Sequence, residues 1–430
     1  MVNRIGRISR PTVRFYQGRL RYPLAPTLDL ADNWWLLSCA ELPPLPLVFW
    51  LSSGQALQHR ARIPPEEAQT DGLSLREWSG WVQKFGDRSM AGTMKAGVVH
   101  VFGKPLTVEE VPIPTPRPGE VLIKVIATGV CHTDLHAANG DWAGRPTLPF
   151  IPGHEGAGVI AACGKDVTGL KEGDAVGIAW LHDACGQCEY CMTGWDSLCA
   201  AQHNSGYSIN GSFAEYVIGA APYVGRLPQS SDFAAMAPIL CAGVTSYKGI
   251  KETEAKPGEW IAISGIGGLG QLAVQYAKVM GLHVAALDVT EDKLALARAS
   301  GADLTVNAKS PDAAAQIIKG TGGGAHGVLV TAVSPAAFAQ ALKLVRRKGI
   351  VSLVGLPPGE FQTPIFDVVM NRITIRGSIV GGRKDLAEAI AFAAEGKVRS
   401  EIRKAKLDDI NQVFADLRAG AVNGRVVLMI

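Results

Sequence analysis

A chain of 430 residues, 47% apolar and 19% charged, can bury substantial cores but exceeds one ordinary domain, so two or more domains are expected. A formal charge of +3, with no Lys/Arg block and no basic helix carrying interleaved aromatics, argues against nucleic acid as a partner. No span reaches the roughly 18 uncharged apolar residues of a membrane helix; the best, residues 34–51, contains Glu41 and three prolines, so a soluble protein without a membrane partner is expected.

Residues 1–93 form a population of their own. They hold ten Arg, one Lys and eight acids, whereas the remainder balances 31 basic against 31 acidic residues. Five of the nine Trp and a cluster of prolines (Pro43, Pro44, Pro46, Pro64, Pro65) also fall here, and the segment is expected to be a poorly ordered N-terminal extension. Its first 28 residues are Arg-rich and acid-free, the charge signature of a mitochondrial transit peptide, against which Pro11 and the scarcity of Ser count.

Met94 opens a strand-like run. Runs such as EVLIKVIA (Glu120 to Ala127) and residues 156–161 read as strands punctuated by Gly and Pro, with little helical periodicity before residue 240. After Cys241 the pattern becomes WIAISG, GLGQLAVQYAKVMG, HVAALD and EDKLALARASGA: apolar strands of about six residues alternating with amphipathic helices, which argues a parallel sheet. No internal repeat or low-complexity tract interrupts it.

Three constellations carry chemistry. In CGQCEYCMTGWDSLC, Cys185, Cys188, Cys191 and Cys199 offer four thiolates, enough to close a tetrahedral Zn²⁺ at about 2.3 Å and leave no position for substrate. Such a site folds a loop; a disulfide pair or free thiols is the alternative. Cys131 (GVCHTDLH), His154 (PGHEGAG) and Cys241 (ILCAG) are candidates for an open, three-ligand site, with Asp134 and Glu155 as carboxylates able to orient a ligand imidazole. Cys39 and Cys163 read as small buried hydrophobes. Finally, Gly265, Gly267, Gly268 and Gly270 fit G-x-G-x-x-G between a strand and a helix, and Asp288 ends the next strand where a carboxylate can accept both adenine-ribose hydroxyls. An acid there repels a 2′-phosphate, so NAD is favoured over NADP.

Jointly, GVCHTDLHA, PGHEGAGVI, the C-x2-C-x2-C-x7-C loop, LCAGVTSYK, SGIGGLG and GRVVL resemble the zinc-dependent alcohol dehydrogenases of the medium-chain dehydrogenase/reductase superfamily, most closely the bacterial and yeast tetrameric NAD-dependent branch. The resemblance covers residues 94–430. It implies an α/β fold in which a GroES-like β-rich catalytic domain (94–241, completed by 380–430) accompanies a Rossmann doubly wound parallel-sheet domain (242–379). It also implies two zinc ions per subunit, NAD, an alcohol or aldehyde substrate, a homotetramer and a cytoplasmic location.

By the same resemblance, zinc on Cys131, His154 and Cys241 binds the alcohol and lowers its pKa, Thr133 contacts the substrate oxygen, the nicotinamide ribose passes the proton on, and His136 releases it. Asp134 holds the His154 ring and Glu155 sits behind the zinc. His132 and Arg425 contact the pyrophosphate and Lys293 the adenosine ribose, the plain alternative for Lys293 being a solvated helix lysine. Thr245, Leu269, Val354, Ser378 and Val380 complete the cofactor contacts. Trp142 and Trp180 narrow the pocket toward short unbranched primary alcohols, with packing alone as the alternative, and Leu356 extends the wall. A zinc-free quinone reductase would lack both ligand sets, a non-catalytic homologue would lose a ligand or the relay, and polyol dehydrogenases usually carry Glu at the position of Cys241.

Overall fold

Eleven residues, EVLIKVIATGV, form the spine of the first sheet, because their β-branched side chains fill both faces and few polar groups interrupt them. The computed structural model describes residues 92–142 and 144–430, which lie in one compact unit spanning 72–430. The expected N-terminal extension falls, up to residue 91, outside the described residues, as does Cys39.

The spine strand, Glu120–Val130, pairs antiparallel with Gly156–Cys163, with Tyr216–Ala220 and, at its end, with Arg425–Met429. The full sheet has seven strands and runs Ile402–Lys406, Arg425–Met429, Glu120–Val130, Gly156–Cys163, Ala175–Gly177, Gly225–Arg226, with Tyr216–Ala220 off this path. The spine outlasts the expected stop at Ala127 because its last residues find partners at the far end of the chain, Val130 opposite Val426. That extension delivers Cys131 at the end of the central strand.

A helix follows at once: α1, His132–Asn139, in a region expected to show little helix. It is too short for a 3.6-residue apolar period to emerge from sequence. Local bonds define it instead. The Asp134 carboxylate accepts the Cys131 N–H at 2.9 Å, satisfying an orphan donor of the first turn, and Gly140 closes the helix at φ 71°.

The second sheet is parallel and six-stranded, in the order Leu304–Asn307, His283–Asp288, Trp260–Ser264, Ala325–Val330, Val345–Leu353, Thr374–Gly377. Numbered along the chain this is 3-2-1-4-5-6, the doubly wound dinucleotide-fold order. Its switch point lies between Trp260–Ser264 and Ala325–Val330, and the Gly-rich turn leaves the first of these. Three further helices matter for the site: α2, Ala242–Lys251; α3, Gly270–Val279; and α4, Arg383–Ala394. The buried Tyr276 on α3 donates its hydroxyl to the Ala389 carbonyl on α4 at 3.0 Å. Beyond α4 the chain returns to the first sheet through its last two strands. No single described helix is long and apolar enough to cross a membrane, although Phe233–Leu240 and α2, bent by 45°, would pass together by length and composition.

The Gly-rich turn shows why its residue types are needed. Gly265 has φ 97° and lies against Ala332, while a Cβ on Gly270 would sit 1.9 Å from the Gly265 carbonyl oxygen. At Gly267 a Cβ would meet nothing within 4 Å. We expect Gly270→Ala to cost more than about 2 kcal/mol and Gly267→Ala to stay within about 0.5 kcal/mol, compared by thermal denaturation of the two variants side by side. Equal melting temperatures would contradict the packing.

Candidate active site

Four thiols meet in the loop 185–199. The Cys188 and Cys191 Sγ atoms lie 3.6 Å apart and those of Cys185 and Cys191 4.0 Å, close to the edge of about 3.8 Å that a tetrahedron with bonds of about 2.3 Å requires. These are nonbonded sulfurs, and all seven described cysteines are free, so no disulfide joins the loop. Amide donors from Gln187 and Cys188 pull the Cys185 thiol down to about 6. A thiolate so stabilised suits a cation.

The second cluster is buried. Cys131 leaves the spine strand, His154 precedes Gly156–Cys163 and Cys241 caps α2; with Glu155, their ligand atoms all lie within 4.8 Å of one another. The His154 Nδ1–H donates to Asp134 at 2.8 Å, which turns Nε2 toward the Cys241 sulfur at 3.2 Å. Burial by itself lowers the His154 pKa, but the charge and hydrogen bond of Asp134 outweigh it and hold the ring well above its ordinary value. The Cys241 thiol donates to Cys131 and holds that thiol well below its usual value, while the same bond pushes Cys241 well above. The pair shares a proton where a divalent cation would bind both sulfurs as thiolates. Two thiolates and one imidazole suit a tetrahedral Zn²⁺ with one open position.

Glu155 is the fourth ligand candidate at that cluster and its one carboxylate. Burial pushes it up to about 7, against the opposing pull of its ion-pair partner Arg425, itself buried. Space for the carboxylate exists because residue 129 is glycine: a Cβ there would sit 1.8 Å from Glu155 Oε2.

An aromatic wall covers one side. The Trp180 ring stands edge-on to His154 at 5.4 Å, Trp142 lies 6.4 Å from Trp180, and Tyr207 packs on both at 5.9 and 5.6 Å. Leu356, expected to extend this wall, is 67% exposed. Thr133 and His136 sit one turn apart on α1, hence on one face. His136 is 5.3 Å from Trp142 and donates from Nδ1 to Asp141 at 2.8 Å.

At the switch point the Asp288 carboxylate accepts the Ile266 N–H and the Val289 N–H, each at 2.7 Å, which fixes it beside the Gly-rich turn. Leu269 caps α3, and its carbonyl accepts the Ser246 hydroxyl from α2 at 2.9 Å. Lys293 lies in the first turn of the helix after Asp288, and exposed His132 opens α1. Val354 is buried, and Val380 holds φ 39°, a left-handed value that costs a β-branched residue about 1–3 kcal/mol. Thr245 Oγ1, Ser378 Oγ and Arg425 Nε are buried polar atoms without a hydrogen-bond partner. All three belong to the expected cofactor contacts, and Arg425 Cδ lies 2.7 Å from where a Cβ of Gly268 would be. Orphaned donors and acceptors beside an open Gly turn fit a dinucleotide.

Sequence reasoning missed Gly129, Tyr207 and the partners Lys248 and Arg383 that brace the loop 185–199 through Trp195 and Asp196. None stands in a spacing pattern. Cys163 is half-buried at a strand end, less enclosed than a core hydrophobe.

Residues 117–229 match the alcohol dehydrogenase GroES-like domain, and residues 268–395 match the zinc-binding dehydrogenase domain. An alcohol dehydrogenase of Rhizobium meliloti (strain 1021) is 59% identical over 336 residues, 78% of this chain and 98% of that protein. The crystal structure of an alcohol dehydrogenase from the archaeon Aeropyrum pernix superposes with a TM-score of 0.72 at 37% identity, over 78% of this chain and all of that one. Acetophenone reductase from Geotrichum candidum, solved in complex with NAD, gives 0.71 at 31% identity over 80% and 99%. A buried two-cysteine, one-histidine cluster, a four-thiol loop and a Gly-rich switch point, carried on these two domains, place the chain in the zinc-dependent alcohol dehydrogenases of the medium-chain dehydrogenase/reductase superfamily.

Proposed function

We propose that this NAD-linked alcohol dehydrogenase interconverts short unbranched primary alcohols and their aldehydes, with Cys131, His154 and Cys241 holding the catalytic zinc and Cys185, Cys188, Cys191 and Cys199 the structural one. The observation that carries this reading is the convergence of the three buried ligands beside the Trp180 ring, on which Trp142 and Tyr207 pack. Bound zinc supplies the Lewis acidity that lowers an alcohol's pKa, and NAD supplies the hydride acceptor.

The chain's own residues do the rest. The aromatic rings form an apolar wall beside His154 that would exclude water and limit the alkyl chain admitted. The Thr133 hydroxyl would accept the alcohol proton as it gives up its own toward the cofactor side, and His136, partly open to water and oriented through Nδ1 by Asp141, would take up the relayed proton on Nε2 and release it to solvent. Asp134 keeps His154 in the tautomer that presents Nε2, and Glu155 with Arg425 supports the cluster from behind. Thr245, Ser378 and Arg425 turn their unpartnered atoms to the cofactor, with His132 at the pyrophosphate, Val354 and Val380 near the nicotinamide, and Asp288 and Lys293 at the adenosine ribose.

A homotetramer is supported by the open edge of Thr374–Gly377, the last strand of its sheet, with exposed Ile365, Phe366, Val369 and Met370 on the preceding helix. Free thiols and a thiolate metal loop support the cytoplasm, a reducing compartment; residues 1–28 as a transit peptide would make it mitochondrial.

Three measurements test this. Metal analysis should return two zinc per active chain; Cys241→Ala should abolish turnover and lose one zinc with the fold kept, while Cys188→Ala should chiefly lower the melting temperature. One zinc or none in a fully active chain would sink the assignment. NAD should exceed NADP in kcat/KM by at least about a hundredfold, since Asp288 faces a phosphate dianion in the latter, and Asp288→Gly should shrink the ratio by weakening NAD. Trp142→Ala should raise kcat/KM for hexanol relative to ethanol by about tenfold; an unchanged ratio would return Trp142 to packing alone.

A further inference from the structure

The tip of the four-thiol loop touches the helices that carry the cofactor contacts. Trp195 and Asp196 stand between the third and fourth thiols, Cys191 and Cys199. The Lys248 ammonium of α2 lies 3.9 Å from the centre of the Trp195 ring, and it pairs with Glu252 at 2.9 Å and with Asp385 of α4 at 3.7 Å. All three charged groups are largely buried, with side-chain exposures of 12%, 9% and 8%. Asp196, 4% exposed, pairs with Arg383 at 3.4 Å, and the Arg383 guanidinium covers the Tyr223 ring at 4.8 Å. The backbones close up too: a Cβ on Gly382 would stand 3.2 Å from the Gly194 carbonyl oxygen.

What these contacts hold is the cofactor side of the cleft. The helix gripped by Trp195 begins at Cys241, bears Thr245, and through Ser246 fixes the Leu269 carbonyl of the Gly-rich turn. The helix gripped by Asp196 begins three residues beyond the strained Val380, and its Asp385 accepts the Gly382 N–H at 3.1 Å. A left-handed valine persists only where its surroundings over-determine it.

We propose that Trp195 and Asp196 are positioning residues, through which the four-thiol loop clasps Lys248 and Arg383 and so sets where Thr245, the Gly-rich turn and Val380 meet the dinucleotide. The four-thiol zinc thereby acts on cofactor affinity at a distance, in addition to folding its own loop. A desolvated cation over an indole face is strong enough to matter. This rests on the cofactor placement proposed above.

The test compares Trp195→Ala, Trp195→Phe, Asp196→Asn, Lys248→Met and Lys248→Arg in the zinc-replete, full-length protein by amide hydrogen exchange without cofactor and by NAD titration. Trp195→Ala and Lys248→Met should speed exchange in residues 242–251 and 378–386 and weaken NAD by roughly five- to twentyfold, with kcat within about threefold. Asp196→Asn should loosen 378–386 alone, and Trp195→Phe and Lys248→Arg should restore most of the affinity. Lys248→Met lies outside the loop, so it reads the clasp even if Trp195→Ala loses zinc or fails to fold. Unchanged exchange in both segments overturns the clasp whether or not NAD binds as placed. Faster exchange with NAD affinity within about twofold overturns its link to the cofactor, and an unmutated protein that binds no NAD fails the cofactor placement instead.

Discussion

One carboxylate fixes the geometry on which the catalytic cluster depends. Asp134 accepts from the Cys131 N–H, the Gly153 N–H and the His154 ring, at 2.9, 3.1 and 2.8 Å. These donors come from two segments about twenty residues apart in the chain, so this one side chain converts a strand end and a loop into a single rigid unit. Enclosing an anion costs several kcal/mol, and three hydrogen bonds to a charged acceptor, at about 1.5–3 kcal/mol each, offset it. The arrangement also decides chemistry. With its Nδ1 proton committed to Asp134, His154 has only Nε2 to offer, aimed at the two sulfurs.

A second buried ion pair explains why the chain must come back to its first sheet after building its second. Arg425 opens the C-terminal strand, pairs with Glu155 behind the thiols and crowds Gly268 with its aliphatic stem. Removing either partner would strand a charge at a cost of about 3–5 kcal/mol. The returning strand thus connects metal cluster and cofactor turn through one side chain of the first sheet. Gly129 completes the fit by leaving room for the Glu155 carboxylate.

Much of this was legible in sequence wherever a local pattern carries the signal. WIAISG and HVAALD became the strands Trp260–Ser264 and His283–Asp288, and the Gly-rich turn with Asp288 sits at the switch point of a 3-2-1-4-5-6 sheet. The thiol spacing of the loop 185–199 announced a cluster that the fold brings together. Other features have no local signature. Helix α1 is too short to show a period, the last residues of the spine strand depend on a partner some 300 residues away, and Tyr207 reaches the aromatic wall only through tertiary packing. Gly129 is one glycine among 49, and only the neighbour it admits marks it out.

Charge balance separates the two metal sites more firmly than ligand count does. Around a divalent cation, four thiolates leave a net charge of −2, which is tolerable for the loop 185–199 because Cys185 is exposed, Cys188 is half-exposed and backbone amides point at sulfur. Two thiolates and a neutral imidazole leave no net charge, as a fully buried site demands, and the Glu155–Arg425 pair behind it is neutral as well. The consequence for reactivity runs the same way. A cation surrounded by four thiolates has its field cancelled and its coordination closed, whereas one held by two thiolates and an imidazole keeps both an open position and enough residual pull to acidify a hydroxyl. Exchanging the two donor sets would put excess negative charge in the core and leave the exposed loop underheld, so burial and chemistry assign the roles together.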